Sequence, residues 1–129
     1  MGKLIALGLA LGIQLGGLLG AHLYYSAKPR DVLIVVDTSY GLSAYQTSMA
    51  KWLEDYESSQ RYRDFHYATD KSYLGDGAAN RDKLYRVSFG SMDISTLEQK
   101  YPANMYSDRI LLTFTEDALT GWVVVHFDK

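Results

Sequence analysis

The sequence predicts an α/β protein: a single N-terminal transmembrane helix followed by a small three-layer-like domain with a mainly parallel sheet. Two observations lead to this prediction. The first is the apolar segment 4–25, which contains no Asp, Glu, Lys or Arg. The second is that β-branched apolar runs alternate with amphipathic segments from residue 31 onward, which is typical of helices packed on a parallel sheet. We therefore divide the chain into an anchor with a short linker, residues 1–30, and an α/β domain, residues 31–129.

The apolar segment is long enough to cross a bilayer. Its 22 residues reach about 33 Å as a helix, against about 30 Å for the hydrocarbon core. Lys3 followed by an apolar run also resembles a secretory signal, but the run is too long for one and no good small-x-small cleavage site follows it. We expect an uncleaved signal anchor of a single-pass cell-membrane protein, with the domain in the periplasm or the extracellular space.

The anchor carries glycines at a regular spacing. Gly8, Gly12, Gly16 and Gly20 form one slowly drifting stripe on a helix. Helices in lipid associate where small residues let their backbones approach, and the amide of Gln14, on another face, needs a partner in hydrocarbon. We expect this glycine-zipper helix to bind other transmembrane subunits of a membrane complex. The alternative is that Gly and Ala are simply common in membrane helices and signal sequences.

The domain is predicted to alternate strands and helices. A continuous β-branched run at 31–36 is typical of a strand buried on both faces. Ser43 and Gln46 form a capping-box pattern before an amphipathic helix at 44–57, and Ser95 and Glu98 form another before a short helix at 95–100. The remaining predictions are strands at 64–69, 84–89, 109–114 and 122–127 and loops at 37–42 and 72–82.

Composition restricts the function. Of the 13 Lys and Arg residues, those at 3, 28 and 30 precede the domain, which leaves 10 against 15 Asp and Glu. This negative balance argues against nucleic acid, and against an anionic membrane surface, as the main partner of the domain. The chain has no cysteine, which excludes disulfides, thiolate metal sites and a cysteine nucleophile.

A loop of polar side chains follows the first predicted strand. Asp37, Thr38 and Ser39 lie at its carboxyl end, where ligands bind in open parallel sheets. Oxygen ligands of this kind suit Mg²⁺. The structural alternative is that Asp37 and Ser39 only satisfy backbone donors in a tight turn.

Residues 31–56 resemble the start of a von Willebrand factor A domain, whose metal-ion-dependent adhesion site uses Asp-x-Ser-x-Ser. Here the pattern reads Asp37-x-Ser39-x-Gly41, so that glycine replaces the third ligand and the site is degenerate. Residues 108–117 are similar to a later strand and acidic loop of that family. The resemblance implies Thr96 and Asp117 as further metal ligands.

Two classes of function follow, and neither is an enzyme. The first is an accessory or assembly subunit of a multi-subunit membrane complex, without a cofactor. The second is a membrane-anchored, metal-dependent ligand-binding module, as an intact adhesion site would imply. A third alternative is a nuclease resembling the PIN family, which also begins with a strand followed by Asp-Thr-Ser; the acidic domain and the anchor argue against it.

Overall fold

The structure is a computed structural model that describes residues 1–85, 92–114 and 119–127. It contains a long N-terminal helix and a sheet with helices packed against it. The elements are, in chain order, α1 (Gly2–Ala27), β1 (Arg30–Val36), α2 (Gln46–Ser59), β2 (Arg63–Thr69), β3 (Tyr73–Asp76), α3 (Ala78–Arg81), α4 (Ile94–Lys100), β4 (Asp108–Thr113) and β5 (Val123–His126), with 3₁₀ helices at Tyr40–Tyr45 and Asp82–Tyr85.

The sheet has the strand order β3-β2-β1-β4-β5. Strands β2, β1, β4 and β5 are parallel, and β3 pairs antiparallel with β2 at one edge. The predicted α/β fold with a mainly parallel sheet is therefore confirmed. The chain moves from β1 to β2 in one direction and later to β4 on the other side of β1, which makes the carboxyl ends of β1 and β4 the switch point of the sheet.

Side chains of β1 alternate between the two faces of the sheet. Val32 and Ile34 lie in one apolar cluster together with residues of α2. Leu33 lies in a second cluster with Leu97 of α4. All of these side chains are buried. Because both faces of β1 are covered, its sequence is a continuous apolar run rather than an alternating one.

The structure corrects both predicted capping boxes. Helix α2 begins at Gln46, after a 3₁₀ helix, and has Tyr45 at its capping position without a side-chain cap. The predicted box at Ser43 and Gln46 is therefore wrong, because the chain tightens into 3₁₀ geometry before the α-helix begins. In α4 the capping residue is Asp93, whose carboxylate accepts a hydrogen bond from the Ser95 backbone N–H.

The structure also corrects the region between β2 and α4. The predicted loop 72–82 contains β3 and the short helix α3. Its glycines do not mark a plain loop: Gly75, with φ +114°, lies within β3, and Gly77, with φ +87°, follows it. The predicted strand 84–89 is wrong at its first two residues, which lie in a 3₁₀ helix that buries Leu84 in the core. The remainder of that prediction lies outside the described residues.

Helix α1 contributes nothing to the core of the domain. It is long and apolar enough to span a bilayer, and all of its residues are exposed. Its leucines between residues 4 and 23 remain 51–74% exposed. The end of α1 meets the domain at Tyr62, whose hydroxyl lies 2.6 Å from His22 Nδ1 and whose ring packs against Tyr25. The helix is thus joined to the domain while its apolar surface is left uncovered.

Candidate functional site

Buried polar side chains meet at the carboxyl ends of three parallel strands. Asp37 follows β1, Asp70 follows β2 and Thr113 ends β4. Asp37 is 1% exposed and Asp70 is 2% exposed, so that both carboxylates are almost fully removed from water. Carboxylates in such positions must be paired or hydrogen-bonded, because burying an isolated charge is very costly.

Asp37 uses both carboxylate oxygens as acceptors. Its Oδ1 accepts hydrogen bonds from the Ser39 backbone N–H at 2.8 Å and from the Ser39 hydroxyl. Its Oδ2 accepts a hydrogen bond from Thr113 Oγ1 at 2.7 Å. Asp37 therefore holds its own loop in a turn and ties that loop to β4.

Asp70 holds the neighbouring part of the same loop. Its Oδ1 accepts hydrogen bonds from the backbone N–H and the hydroxyl of Thr38, at 2.9 and 2.6 Å. Its Oδ2 lies 3.1 Å from Lys71 Nζ, an ion pair with a partly exposed ammonium group. Lys100 of α4 also reaches this edge, donating to the backbone carbonyls of Asp70 and Lys71. The carboxylates of Asp37 and Asp70 thus both hold the loop after β1, Asp37 through Ser39 and Asp70 through Thr38.

The predicted metal ligands do not all come together. Asp37 and Ser39 are in direct contact, whereas the Thr96 hydroxyl donates to the Asp93 carbonyl in the first turn of α4. Asp117 lies outside the described residues. A Cβ atom at Gly41 would lie 3.5 Å from the ring of Phe114, ordinary van der Waals contact. Within residues 1–85, 92–114 and 119–127, no group of three or more His, Asp or Glu side chains is placed to hold a metal ion.

The donor set at this edge is all oxygen, which is the chemistry that Mg²⁺ prefers. Hydrogen bonds, however, already occupy both carboxylate oxygens of Asp37 and Oδ1 of Asp70, whereas the buried Oδ2 of Asp70 accepts no hydrogen bond from the described residues and makes only the ion pair with Lys71. A cation would have to displace Thr113 or Ser39 from Asp37, or Lys71 from Asp70. The arrangement can therefore rigidify the switch point without an ion, which fits the structural interpretation of Asp37 and Ser39.

Sequence reasoning missed Asp70 and Thr113. Asp70 directly follows the predicted strand 64–69, just as Asp37 follows the strand 31–36. Parallel strands bring their carboxyl ends to one edge of the sheet, so this shared position was the signal that could have identified Asp70. The contact of Thr113 with Asp37 depends on β1 and β4 being neighbours, which the sequence alone does not reveal.

The glycine stripe of α1 is a second candidate site. A Cβ atom added at Gly8, Gly12, Gly16 or Gly20 would meet nothing within 4 Å. Gln14 is exposed as well. Packing within the described part of the chain therefore does not require these glycines.

Comparison with known proteins gives no family for this fold and site. No protein-family model matches the chain, and no curated protein or solved structure matches it.

Proposed function

We propose that this protein is a single-pass membrane accessory or assembly subunit of a multi-subunit membrane complex. In this proposal α1 packs against other transmembrane subunits and the α/β domain docks on the complex outside the bilayer, in the periplasm or the extracellular space. The role is non-enzymatic and needs no cofactor. The observation that carries the proposal is the apolar helix α1, all of whose residues are exposed.

Two features of α1 favour helix contacts over simple anchoring. Glycine is one of the poorest helix formers, costing about 1 kcal/mol relative to alanine in water, and a plain anchor gains nothing from four of them on one stripe. The space around each of these glycines is open. A neighbouring helix would use that space, because close backbone approach gives good van der Waals packing in lipid.

The experiment compares substitutions on two faces of the helix. The double substitution Gly12→Leu and Gly16→Leu adds bulk to the glycine stripe. Leu7→Ala and Leu18→Ala change the opposite face of the helix and serve as the matched control. The tagged full chain is purified from its native membranes in mild detergent, and the recovery of partner subunits is quantified by mass spectrometry.

We expect the glycine variant to lose its partners at least fivefold and the leucine-face variant to keep them. Resistance to alkaline extraction should be equal for both variants and the unmodified chain, since all three retain an apolar helix. Equal partner recovery from the glycine variant and the unmodified chain would refute the proposal.

The second candidate function is a membrane-anchored, metal-dependent module that resembles a von Willebrand factor A domain. The observation in its favour is that Asp37 and Ser39 lie buried at the switch point of the sheet. The replacement at Gly41 and the internal hydrogen bonds of Asp37 argue for a degenerate site. The metal titration described in the Discussion decides between the two functions.

A further inference from the structure

We infer that the membrane-side end of the domain contains a binding site for the phosphate headgroup of an anionic phospholipid. The inference rests on the proposed membrane anchoring of α1. The site is a cavity of about 510 Å³ where the end of α1 meets the loop before β2. It lies at the end of the domain opposite to Asp37 and Asp70, because it is lined by residues at the starts of β1 and β2.

One wall of the cavity is aromatic. Tyr24 and Tyr25 lie in the last turn of α1, and Tyr62 lies in the loop before β2. If the apolar residues 4–23 occupy the hydrocarbon core, Tyr24 and Tyr25 fall at the membrane–water interface, where tyrosine side chains are enriched. The next few residues then lie at the depth of the lipid headgroups.

The rest of the lining is basic. It consists of Lys28, Arg30, Arg61 and Arg63. The parallel pairing of β1 and β2 sets Arg30 opposite Arg63, so that cations distant in sequence come together beside the linker. No acidic residue is among the described residues that line the cavity. The domain as a whole is acidic, and this basic patch is therefore a local reversal of its charge.

The four cations are not equivalent. Asp108 forms ion pairs with Arg63 at 2.8 Å and with Arg30 at 3.4 Å, which holds those two side chains at the strand ends. Lys28 and Arg61 are exposed, and the described residues provide no carboxylate partner for either. Lys28 Nζ lies 5.2 Å from the centre of the Tyr24 ring. Lys28 and Arg61 are thus available to an external anion.

The backbone at Tyr62 supports a functional interpretation of the cavity. Tyr62 has φ +57°, the one positive φ among the described residues other than glycine. Such a conformation is unfavourable for a bulky residue and persists only where its surroundings hold it in place. Here it sets the Tyr62 ring against Tyr25 and the hydroxyl beside His22. Tyr62 therefore fixes the end of α1 relative to Arg61 and Arg63.

A phosphodiester headgroup matches this site in charge and position. Basic residues next to a membrane helix attract anionic lipids, and arginine binds phosphate oxygens through two parallel hydrogen bonds. Lipid is preferred to a free phosphate compound because the aromatic wall continues directly into the apolar surface of α1. The acyl chains would follow that surface while the phosphate sits among the cations.

The test measures lipid binding to the purified full chain in detergent by native mass spectrometry. The probes are phosphatidylglycerol, which is anionic, and phosphatidylcholine, which is zwitterionic. The variant Lys28→Gln and Arg61→Gln removes the two cations that have no carboxylate partner among the described residues. The control Lys51→Gln and Lys83→Gln removes the same charge from exposed positions that do not line the cavity.

We expect preferential binding of phosphatidylglycerol by the unmodified chain. Each cation near an anionic surface contributes about fivefold to binding, so the cavity variant should bind about 25-fold more weakly. The control variant should change less than twofold. Equal binding of the two lipids, or an unchanged affinity in the cavity variant, overturns the inference. Full competition by millimolar glycerol 3-phosphate also overturns it, in favour of a soluble phosphate ligand.

The outcome is separable from that of the proposed function. If partner subunits are recovered while phosphatidylglycerol shows no preference, the lipid site alone is rejected. If phosphatidylglycerol binds selectively to a membrane-embedded chain that recovers no partners, the accessory-subunit proposal fails and the lipid site stands. A chain that alkaline extraction releases from membranes contradicts both.

Discussion

Replacing Asp37 distinguishes two possible roles of its carboxylate, a structural role in holding the loop and a role as a metal ligand. Asp37→Ala removes the acceptor of three buried donors. These are the backbone N–H of Ser39 and the hydroxyls of Ser39 and Thr113. Hydroxyl groups can turn to other acceptors, but the backbone N–H cannot. An unsatisfied buried donor costs about 1–3 kcal/mol, and with the two lost hydrogen bonds we expect a total destabilisation of about 3 kcal/mol.

Asp37→Asn is the conservative counterpart. The amide oxygen can keep both bonds to Ser39, and the amide nitrogen can donate to Thr113 once that hydroxyl rotates to accept. We therefore expect a loss of only about 1 kcal/mol. For a domain of this size 1 kcal/mol lowers Tm by about 4–8 °C. The alanine variant should accordingly melt about 12–24 °C lower and the asparagine variant about 4–8 °C lower.

The assay is thermal unfolding of the full chain in detergent, followed by tryptophan fluorescence. The two tryptophans, Trp52 and Trp122, lie in the domain, and Trp122 is buried, so the signal reports the domain and not α1. Each variant is melted with and without 1 mM Mg²⁺ or Mn²⁺. A site with a Kd near 1 mM would add only about 0.4 kcal/mol, a shift of about 2–3 °C.

We expect shifts no larger than this in all three proteins. A stabilisation of more than about 6 °C that both Asp37→Ala and Asp37→Asn abolish would refute the structural assignment of Asp37 and favour the metal-dependent module. That result corresponds to a Kd of about 0.1 mM or tighter.

Two further predictions concern α4 and the linker. Arg109 is 4% exposed, and its Nη1 donates to both carboxylate oxygens of Glu98 at 3.0 Å. These hydrogen bonds, together with the one from the Trp122 indole N–H, hold the pKa of Glu98 below its ordinary value. A lowered pKa stabilises the fold at pH values above the ordinary pKa of a glutamate, and that stabilisation is lost as pH falls through the lowered pKa. Glu98→Gln should therefore cost about 1 kcal/mol at pH 7, given the solvent exposure of Glu98, and the difference from the unmodified chain should shrink as the melts are made more acidic. A cost that does not change with pH contradicts this prediction. Inserting a flexible Gly-Ser linker of about 20 residues after Ala27 should reduce partner recovery several-fold, because the effective concentration of the domain at its docking surface falls with linker length; unchanged recovery would mean that the domain does not dock.

The sequence predicted those parts of the fold that follow from local periodicity. The buried run of β1 and the amphipathic face of α2 were identified because their patterns depend only on neighbouring residues. Strand β3 was missed because Gly75 within it and Gly77 after it are compatible with a turn as well as with irregular strand pairing. At the site, Asp37 and Ser39 were found from one loop, and Asp70 could have been found from its place directly after the strand 64–69, whereas the contact of Thr113 with Asp37 required the order of the strands. The basic cavity was missed for the same reason, since it depends on the pairing of Arg30 with Arg63.

The attachment of α1 to β1 determines how the domain bears mechanical load. Only Lys28 and Pro29 separate the two elements, and β1 is the middle strand of the described sheet. If α1 anchors the chain in a membrane as proposed, a pull on the domain away from the membrane acts along β1, across its hydrogen bonds to both β2 and β4. Those bonds share the load and must break together, whereas an edge strand attached at its end could be peeled off bond by bond. Because forced unfolding is limited by the rate of that rupture, the proposed anchor would be attached to the strand of the described sheet that best resists tension.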